Sequence, residues 1–392
     1  MQDTQTASET VAVELTAVEH AETMRDYLEA GEARAMALPN RGPVRYGADG
    51  RLHDDILAAY WQYGFYIFKG TVGPEELEEL RQDVDRVIAG APAEPGGAVA
   101  RDGRAPLYRG LKKDPYRYAK PLSDPYGGTT KNKGRHPVAM TGPKPIDGAP
   151  AYTVQLLDGN LHLMDSCLRL YGHPDLLAIA EAINGADFVP YNEVTFIKEP
   201  GLGPSIAWHQ DGTTHWDAPD WDQGAHGFNF MTQLYASTPA NCVWMLPGSH
   251  KLGRADIKKM VAESGSERIE GVVPLVCDPG DTMVLNRQCV HGSFANTSRN
   301  RRVTLNAGFF PRRRVLNVAT TKLTGEPDTY LEDRINDRCR IIQLGVDARQ
   351  QKYGNEPRYV YQPLAGEEER ARWSEQTRGT MLKNYNQLDM YI

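Results

Sequence analysis

Two histidines and an aspartate are spaced in a way that could bind a redox-active metal. His209 and Asp211 form a His-x-Asp pair, and His291 lies much further along the chain. Residues two apart on a strand point the same way, so the pair can supply two ligands and a distant strand the third. Two histidines and one carboxylate leave open positions for a co-substrate and O2, as in non-haem Fe(II) oxygenases. We therefore take these three residues as candidate iron ligands.

The His-x-Asp pattern alone is weak, and its context has to select among four copies. The copies begin at His53, His173, His209 and His215. The first two stand at predicted helix starts, where capping explains them. The third follows a strand-like segment and precedes Gly212, which places it at a strand end. The copy at His215 is a rival, but it lies in a loop rich in Trp, Asp and Pro, where we expect a pocket wall.

The distal ligand also has a competitor. His291 follows an Asp-Pro-Gly-Asp turn and an apolar strand predicted over 282–285, and Gly292 and Ser293 come directly after it. The alternative is His250, in the segment Pro-Gly-Ser-His, which we interpret as a loop histidine that orders a turn.

A second cluster can bind a dicarboxylic co-substrate. A free carboxylate is best bound by a planar guanidinium with help from a hydroxyl group. Alternation separates the candidates, because Val303, Leu305, Ala307 and Phe309 form one apolar face, and Arg302, Thr304, Asn306 and Gly308 share the other. Arg302 and Thr304 are therefore predicted to face a polar cavity, whereas Arg301 faces outward.

The elements that must position these residues are mostly short strands. Segments at 64–70, 189–198, 227–236, 243–246, 271–277, 282–285 and 302–310 are separated by Gly, Pro, Asn and Asp, which is typical of a sandwich or barrel. Helices are predicted at 18–37, 54–63, 74–88, 161–171, 174–183 and 367–381. We expect an N-terminal extension at 1–50, one β domain with flanking helices at 51–320, and a C-terminal helical and irregular extension at 321–392.

Composition excludes several classes of protein. The net charge is −7, which disfavours nucleic acid as a partner. No segment has the length and apolarity of a membrane span, and the acidic N-terminus does not look like a secretion signal, so we expect a cytoplasmic protein. The five cysteines are scattered and never form a Cys-x-x-Cys pair, which argues against a disulfide framework or a zinc ribbon.

One segment departs from this acidic average. Residues 101–136 carry ten Lys or Arg against three Asp, a charge of +7 that leaves −14 for the remainder. This basic loop, bounded at about 98–150, is either a lid that attracts an anionic small-molecule substrate or a solvated or subunit-facing loop. For the substrate pocket we name His215, Trp216, Phe228 and Phe230 as candidate walls, although aromatic residues on strands commonly belong to the core.

Together these residues resemble the phytanoyl-CoA dioxygenase family of Fe(II)/2-oxoglutarate enzymes. The resemblance runs from about residue 60 to 312. It includes an opening Tyr-Gly-Phe-Tyr-Ile, a Lys-Glu-Pro-Gly turn before Trp-His-Gln-Asp, a Leu-Pro-Gly-Ser-His-Lys element, a His-Gly-Ser, and Arg302.

The resemblance implies a double-stranded β-helix, a cupin-like jelly roll, with Fe(II), 2-oxoglutarate and O2 as cofactors. It assigns the C5 carboxylate of 2-oxoglutarate to Arg302 and Ser293, and a further polar contact to Gln155. The implied reaction is hydroxylation of an unactivated C–H of a small metabolite, for instance in specialised metabolism, with decarboxylation to succinate and CO2. Asp211 argues against a halogenase, which would have Gly or Ala there. A non-catalytic metal-binding jelly roll and a zinc hydrolase are the competing hypotheses.

Overall fold

The computed structural model describes residues 15–108, 111, 113–321 and 325–386. Parts of three predicted segments lie outside the described residues: 1–14 of the N-terminal extension, 109, 110 and 112 of the basic loop, and 322–324 and 387–392 of the C-terminal extension.

Helices and strands follow one another along the chain, with helices concentrated at the two ends and strands in the middle. The helices are α1 Ala17–Met36, α2 Asp54–Tyr63, α3 Pro74–Ala89, α4 Asn160–Leu163, α5 Asp165–Tyr171, α6 Pro174–Asn184, α7 Ile257–Glu263, α8 Glu332–Lys352 and α9 Glu375–Met381. The strands are β1 Arg41–Gly42, β2 Phe65–Phe68, β3 Tyr116–Ala119, β4 Thr153–Asp158, β5 Phe188–Lys198, β6 Ile206–His209, β7 Phe228–Gln233, β8 Trp244–Met245, β9 Val273–Pro274, β10 Thr282–Asn286, β11 His291–Ser293, β12 Arg302–Pro311, β13 Ala319–Thr321 and β14 Pro327–Thr329.

The strands form two main sheets and a small hairpin. The large sheet has eight strands in the order β1-β2-β10-β7-β12-β5-β4-β3, and the small sheet has four in the order β6-β11-β8-β9. Neighbours pair antiparallel, except β1 with β2, which are parallel. The hairpin of β13 and β14 lies apart. Multi-stranded sheets with flanking helices were predicted, and this part of the prediction is confirmed.

Alternation along the strands divides the core into layers. On β10, Met283 and Leu285 belong to an apolar cluster with Met245 and Val273 of the small sheet, whereas Val284 belongs to the cluster on the other face. Because successive side chains of a strand point to opposite faces, the large sheet is covered on both sides. One face meets the small sheet, and the other carries the helices.

The helix α3 shows how the sequence specifies this cover. Pro74 occupies its first turn, where its missing N–H is not needed, and Glu75 and Glu76 follow near the positive end of the helix dipole. Leu77 and Leu80 recur at helical spacing and are buried with Val84 and Val87.

Most predicted elements are present, although some are shorter than predicted or interrupted. The helix predicted at 161–171 is two helices, because Met164 is extended at φ −133° and ψ 114° and interrupts it. The helix predicted at 367–381 contains only a 3-10 turn and α9. The strand predicted at 271–277 is reduced to β9.

Both ends of the described chain pack on the β domain. In α1, the ring of Tyr27 stacks on Trp244 of the small sheet at 5.0 Å between centroids. In α8, Arg338 Nε donates to the carbonyl oxygen of Pro190 on β5. The five cysteines are buried free thiols. Among the helices that the structure describes, none has both the length and the apolar character needed to cross a bilayer.

Candidate active site

His209 and His291 are neighbours across the small sheet. They stand opposite one another in the pairing of β6 with β11, and their ring centroids are 4.2 Å apart. The sequence separates them widely, but the antiparallel register brings them to the same place. This is the proximity that the two predicted histidine ligands require.

Backbone contacts fix the orientation of both imidazoles. His209 Nδ1 lies 2.8 Å from the carbonyl oxygen of Ala207, and His291 Nδ1 lies 2.9 Å from that of Cys289. A carbonyl oxygen only accepts, so each Nδ1 carries the proton and each Nε2 keeps its lone pair. Burial lowers the pKa of both histidines, which keeps them neutral. Neutral imidazoles with a free Nε2 are suited to a metal ion.

Asp211 completes a three-ligand group. Its backbone N–H donates to the carbonyl oxygen of Arg287 at 2.8 Å, and its Oδ1 lies 3.7 Å from His209 Nε2. The three potential ligand atoms of His209, Asp211 and His291 lie within 4.8 Å of one another, close enough for one cation to contact all three. Asn229 Nδ2 donates to Asp211 Oδ2 at 3.1 Å, which orients the carboxylate.

Nearby cations keep Asp211 ionised. Burial alone would raise the pKa of Asp211, but Arg135 and Arg287, followed by the two histidines, hold it well below its usual range. Gly212 follows at φ +99°, and a Cβ there would lie 2.4 Å from His226. Only glycine therefore fits directly beside this carboxylate.

The Pro-Gly-Ser-His element supports the site from outside. Ser249 Oγ donates to the carbonyl oxygen of Leu246 at 2.6 Å and accepts from Val290 N–H at 2.8 Å, directly before His291. His250 Nε2 donates to the carbonyl oxygen of Trp61 at 3.0 Å. His250 thus orders a turn and lies outside the three-ligand group.

Arg302 is buried on the facing large sheet. Its side chain is 3% exposed, and it donates from Nε to Thr304 Oγ1 at 2.8 Å and from Nη1 to the carbonyl oxygen of Asn241 at 3.1 Å. Thr304 Oγ1 in turn donates to Gln233 Oε1 at 2.9 Å. Burial lowers the pKa of Arg302 to about 10, so the guanidinium remains charged at neutral pH.

A buried lysine accompanies Arg302. Lys198 is its cross-strand partner on β5, is also 3% exposed, and donates to the carbonyl oxygen of Phe294. Burial, followed by the charge of Arg302, holds the pKa of Lys198 well below its usual range. Among the described residues, neither side chain forms an ion pair with a carboxylate.

One cavity of about 220 Å³ connects these groups. It lies between the sheets and is lined by five of the predicted site residues, which are His209, Asp211, His291, Ser293 and Arg302. The basic loop forms another part of its wall through Lys113, Arg117, Tyr126, Asn132, Arg135 and His136. Arg135 Nη1 lies 3.0 Å from Asp211 Oδ1, and the His136 ring lies 4.3 Å from that of His209.

Two predicted co-substrate contacts are placed differently. Thr304 faces the same side as Arg302 but does not line the cavity, because its hydroxyl is held between Arg302 and Gln233. Gln155 is buried on β4, and its amide atoms have no partner among the described residues. Its neighbour Leu156 lines the cavity, whereas Gln155 does not.

The four candidate substrate walls are corrected, because none of them lines this cavity. On β7, Asn229 and Met231 face the cavity, so Phe228 and Phe230 point to the opposite face, where they pack with Phe309. His215 is held in its loop by a 2.9 Å hydrogen bond from Nε2 to the carbonyl oxygen of Arg314.

Trp216 lies in the same loop as His215. Its Nε1 donates to the carbonyl oxygen of Gly212 at 3.3 Å, and its ring contacts His226 at 4.4 Å between centroids.

Sequence reasoning missed several residues of the wall. Asn229 stands between two phenylalanines that face the core, so alternation alone could have placed it on the cavity side. Arg287 interrupts an apolar region four residues before His291, which was a usable signal. Arg135 and His136 come from the basic loop, and only the tertiary structure shows that this loop covers the ligand group.

Known proteins are similar to parts of this chain. It is 31% identical over 111 residues to phytanoyl-CoA dioxygenase 1 of Oryza sativa subsp. japonica, an alignment that covers 26% of this chain and 37% of the relative. The aligned part is thus little more than a third of the rice protein.

Solved structures with partial similarity include EctD from S. alaskensis with 2-oxoglutarate and 5-hydroxyectoine, at 15% identity and a TM-score of 0.47, covering 72% of this chain and 83% of that one. EvdMO1 has 20% identity and a TM-score of 0.45, covering 64% of this chain and 48% of its own.

The sequence profile described as phytanoyl-CoA dioxygenase matches residues 60–304, which is most of the chain and includes every candidate metal ligand. This protein therefore belongs to the phytanoyl-CoA dioxygenase family, whose members depend on Fe(II), 2-oxoglutarate and O2.

Proposed function

We propose that this protein hydroxylates an unactivated C–H bond of a small organic metabolite. In the proposed reaction, substrate, 2-oxoglutarate and O2 give the hydroxylated substrate, succinate and CO2. One oxygen atom enters the substrate and the other enters succinate, so atoms and electrons balance. His209, Asp211 and His291 are the proposed metal ligands, and Arg302 with Ser293 is the proposed binding site for the C5 carboxylate of 2-oxoglutarate.

The observation that carries this proposal is the buried guanidinium of Arg302, which no carboxylate among the described residues balances. A buried charge is costly unless a counter-charge or hydrogen bonds compensate it. Arg302 opens onto the cavity that holds His209, Asp211 and His291. A dicarboxylic co-substrate that reaches from the metal to Arg302 would supply the missing negative charge.

The protein's own residues then have separate roles. The carbonyl oxygens of Ala207 and Cys289 hold the two imidazoles in the tautomer that presents Nε2. Asn229 orients Asp211, and Thr304 fixes the plane of the Arg302 guanidinium. A bound Fe(II) would supply the oxidation chemistry, which protein side chains cannot perform alone.

The order of the strands supports a double-stranded β-helix. From β5 to β12 the chain alternates between the sheets, since β5, β7, β10 and β12 lie in the large sheet and β6, β8, β9 and β11 lie in the small one. We infer that these eight strands form the jelly roll. The ligand group lies on the small sheet and Arg302 on the large one, so the co-substrate would bind between them.

Asp211 also bears on the type of reaction. Its carboxylate would occupy the coordination position that a halogenase leaves open for chloride. The same ligand set also permits desaturation, epoxidation and ring formation, which depend on the pose of the substrate, and hydroxylation is the outcome that we propose. The basic loop would cover the substrate, because Arg135 and His136 already contact the ligand group.

The test is an anaerobic spectrum of the protein with Fe(II) and 2-oxoglutarate. A chelate of the two has a weak visible charge-transfer band, which we expect for the native protein. The band should disappear in His209→Ala and weaken in Arg302→Ala. His215→Ala is the matched control, because His215 also begins a His-x-Asp pair but lies outside the cavity, and it should leave the band intact. A folded native protein without the band would instead favour a zinc hydrolase or a non-catalytic metal-binding protein.

A further inference from the structure

Arg287 is a buried cation in the cavity wall whose hydrogen-bond donors none of the roles above uses. Its side chain is 5% exposed, and its Nε and Nη1 have no hydrogen-bond partner among the described residues. The guanidinium carbon lies 4.8 Å from the ring centroid of Tyr191 and 4.9 Å from that of Phe310. Two aromatic rings therefore hold the guanidinium in place while donor atoms remain available.

The nearby Asp211 does not account for these donors. Arg287 Nε is 3.9 Å from Asp211 Oδ2, which is beyond hydrogen-bonding distance. That oxygen accepts from Asn229, and Oδ1 is paired with Arg135. Arg287 therefore contributes charge near the ligand group but keeps its hydrogen bonds for something else.

Other cations in the wall have partners. Lys113 and Arg117 both contact Asp158 Oδ2, at 3.3 and 2.6 Å. Arg135 pairs with Asp211, and Arg302 has the proposed role toward 2-oxoglutarate. Among the wall residues that the structure describes, Arg287 is thus the cation for which neither a carboxylate nor a co-substrate provides the acceptor.

Unpartnered acceptors line the same cavity. The amide oxygens of Asn192, Asn229 and Asn306 are buried without a partner among the described residues, and all three side chains line the cavity. Two of these oxygens lie close to Arg287 beside Gly308, which has no side chain to fill the space between them. A Cβ added to Gly308 would lie 2.3 Å from Asn192 Oδ1, 3.0 Å from Asn229 Oδ1 and 3.4 Å from Arg287 Nη1. Buried polar atoms normally have partners, so this group is suited to a polar ligand.

We propose that Arg287, with Asn192, Asn229 and Asn306, is the substrate-recognition site and selects a small hydroxylated carboxylate. The carboxylate of the substrate would accept from Arg287, and its hydroxyl groups would donate to the asparagine oxygens. This inference rests on the proposed function. A long acyl chain would leave the same buried polar atoms without partners, and the cavity of about 220 Å³ is small.

The position of Arg287 would also let it orient the substrate relative to the ligand group. Because Arg287 lies beside Asp211, a carboxylate bound to it would place the neighbouring carbon atoms close to the proposed metal. Arg287 would then determine which C–H bond is presented, without itself taking part in the chemistry.

The test uses quinate and gluconate as probes, with myo-inositol and glucitol as neutral counterparts and octanoate as a carboxylate without hydroxyl groups. Dissociation constants are measured by calorimetry on the protein loaded anaerobically with Fe(II) and 2-oxoglutarate, and also on the metal-free protein. At least one hydroxylated carboxylate should bind about tenfold more tightly than its neutral counterpart and octanoate. Arg287→Met should remove this preference, and Arg287→Lys should restore part of it.

Two controls separate recognition from structural effects. Arg254→Met removes an exposed arginine that lies against Trp216, outside the cavity, and should change nothing. The Fe(II)–2-oxoglutarate band should persist in Arg287→Met, because Arg135 still pairs with Asp211 and recognition of the co-substrate is assigned to Arg302. Loss of the band in that variant would assign Arg287 to the metal or co-substrate and overturn the inference.

Two further outcomes distinguish failure of the recognition site from failure of the oxygenase proposal. If the native protein shows the band but has no preference for a hydroxylated carboxylate, the recognition site is wrong and the oxygenase proposal stands. If Arg287-dependent binding occurs in a protein that never shows the band, the recognition site stands and the oxygenase proposal fails.

Discussion

Replacing Arg302 with methionine should distinguish two effects of its buried charge. One is the stability lost by burying the charge, and the other is the affinity gained for 2-oxoglutarate. Burial lowers the pKa of Arg302 to about 10, which is more than a hundredfold loss of proton affinity relative to an exposed arginine. Each tenfold change in proton affinity corresponds to about 1.4 kcal/mol, so the charged side chain costs the ligand-free fold about 3 kcal/mol. Because the folded pKa is the lower one, this cost is present in full below about pH 10 and is relieved as the pH rises from there toward the ordinary pKa of arginine.

The substitution also removes two hydrogen bonds, to Thr304 and to the carbonyl oxygen of Asn241. At about 1 kcal/mol each, they offset most of the relief. We therefore expect ligand-free Arg302→Met to be as stable as the native protein, or more stable by about 1 kcal/mol. An ordinary buried side chain that is well packed would show the opposite sign.

Binding of 2-oxoglutarate should make the native protein more stable than Arg302→Met. At a hundredfold excess over its dissociation constant, a ligand stabilises the native protein by about 2.7 kcal/mol. Losing the partner of a buried charge typically costs at least about 2 kcal/mol of affinity, which would reduce the stabilisation of Arg302→Met to less than about 1 kcal/mol at the same concentration. The free energy of unfolding is measured by denaturant titration, anaerobically with Fe(II), with and without 2-oxoglutarate.

The matched control is Arg301→Met at the adjacent position. Arg301 faces outward, is 20% exposed in its side chain, and pairs with Asp85 and Glu199 at 2.7 and 3.2 Å. Its loss should lower stability by about 1 kcal/mol or less and leave the effect of 2-oxoglutarate unchanged. The reasoning fails if Arg302→Met destabilises the ligand-free protein by more than about 2 kcal/mol, or if 2-oxoglutarate stabilises both variants equally.

Burial raises the pKa of Glu193 to about 8, so between its ordinary value of 4.5 and that pH the folded state holds a proton that the unfolded state has released. Stability should therefore fall as pH rises from about 5 to 8, and Glu193→Gln should flatten this decline by up to about 4 kcal/mol in denaturant titrations; parallel pH profiles would contradict it. Gly212→Ala should lower the thermal midpoint and weaken Fe(II) binding, because its Cβ would collide with His226 at a strained φ; unchanged Fe(II) affinity in equilibrium dialysis would count against this. Ser249→Ala should cost about 1–2 kcal/mol of unfolding free energy, since Val290 N–H loses its acceptor, and an unaltered denaturation curve would show that this contact does not matter.

Local patterns were sufficient for much of the fold. The helix predicted at 54–63 is α2, with the same bounds, because it ends at Gly64 in the left-handed conformation. Strict alternation placed Arg302 on the polar face of β12 and the apolar residues of that strand in the core. The interruption at Met164 has no comparable signal in the sequence, since neither glycine nor proline stands at the break.

The candidate site was also predicted only in part from local sequence patterns. Strand ends and turns identified His209, Asp211 and His291, which the structure brings together, and their role as iron ligands stays a prediction. The wall of the cavity could not be predicted from nearness in sequence. The large sheet turns Phe228 and Phe230 away from the cavity, and the wall is formed instead by residues from distant loops, such as Arg135. Proximity along the chain was the wrong guide there, because antiparallel strands bring separate segments together.

The division of the site between two sheets has a consequence for the size of the oxo-acid that fits. Packed sheets keep a nearly constant separation of about 10 Å, so the span from the small sheet to Arg302 is fixed by the core and not by a movable loop. A fixed span would select the co-substrate by its length. With Arg302 as the proposed carboxylate site, oxaloacetate would be one methylene too short to reach the guanidinium, and 2-oxoadipate would be one methylene too long.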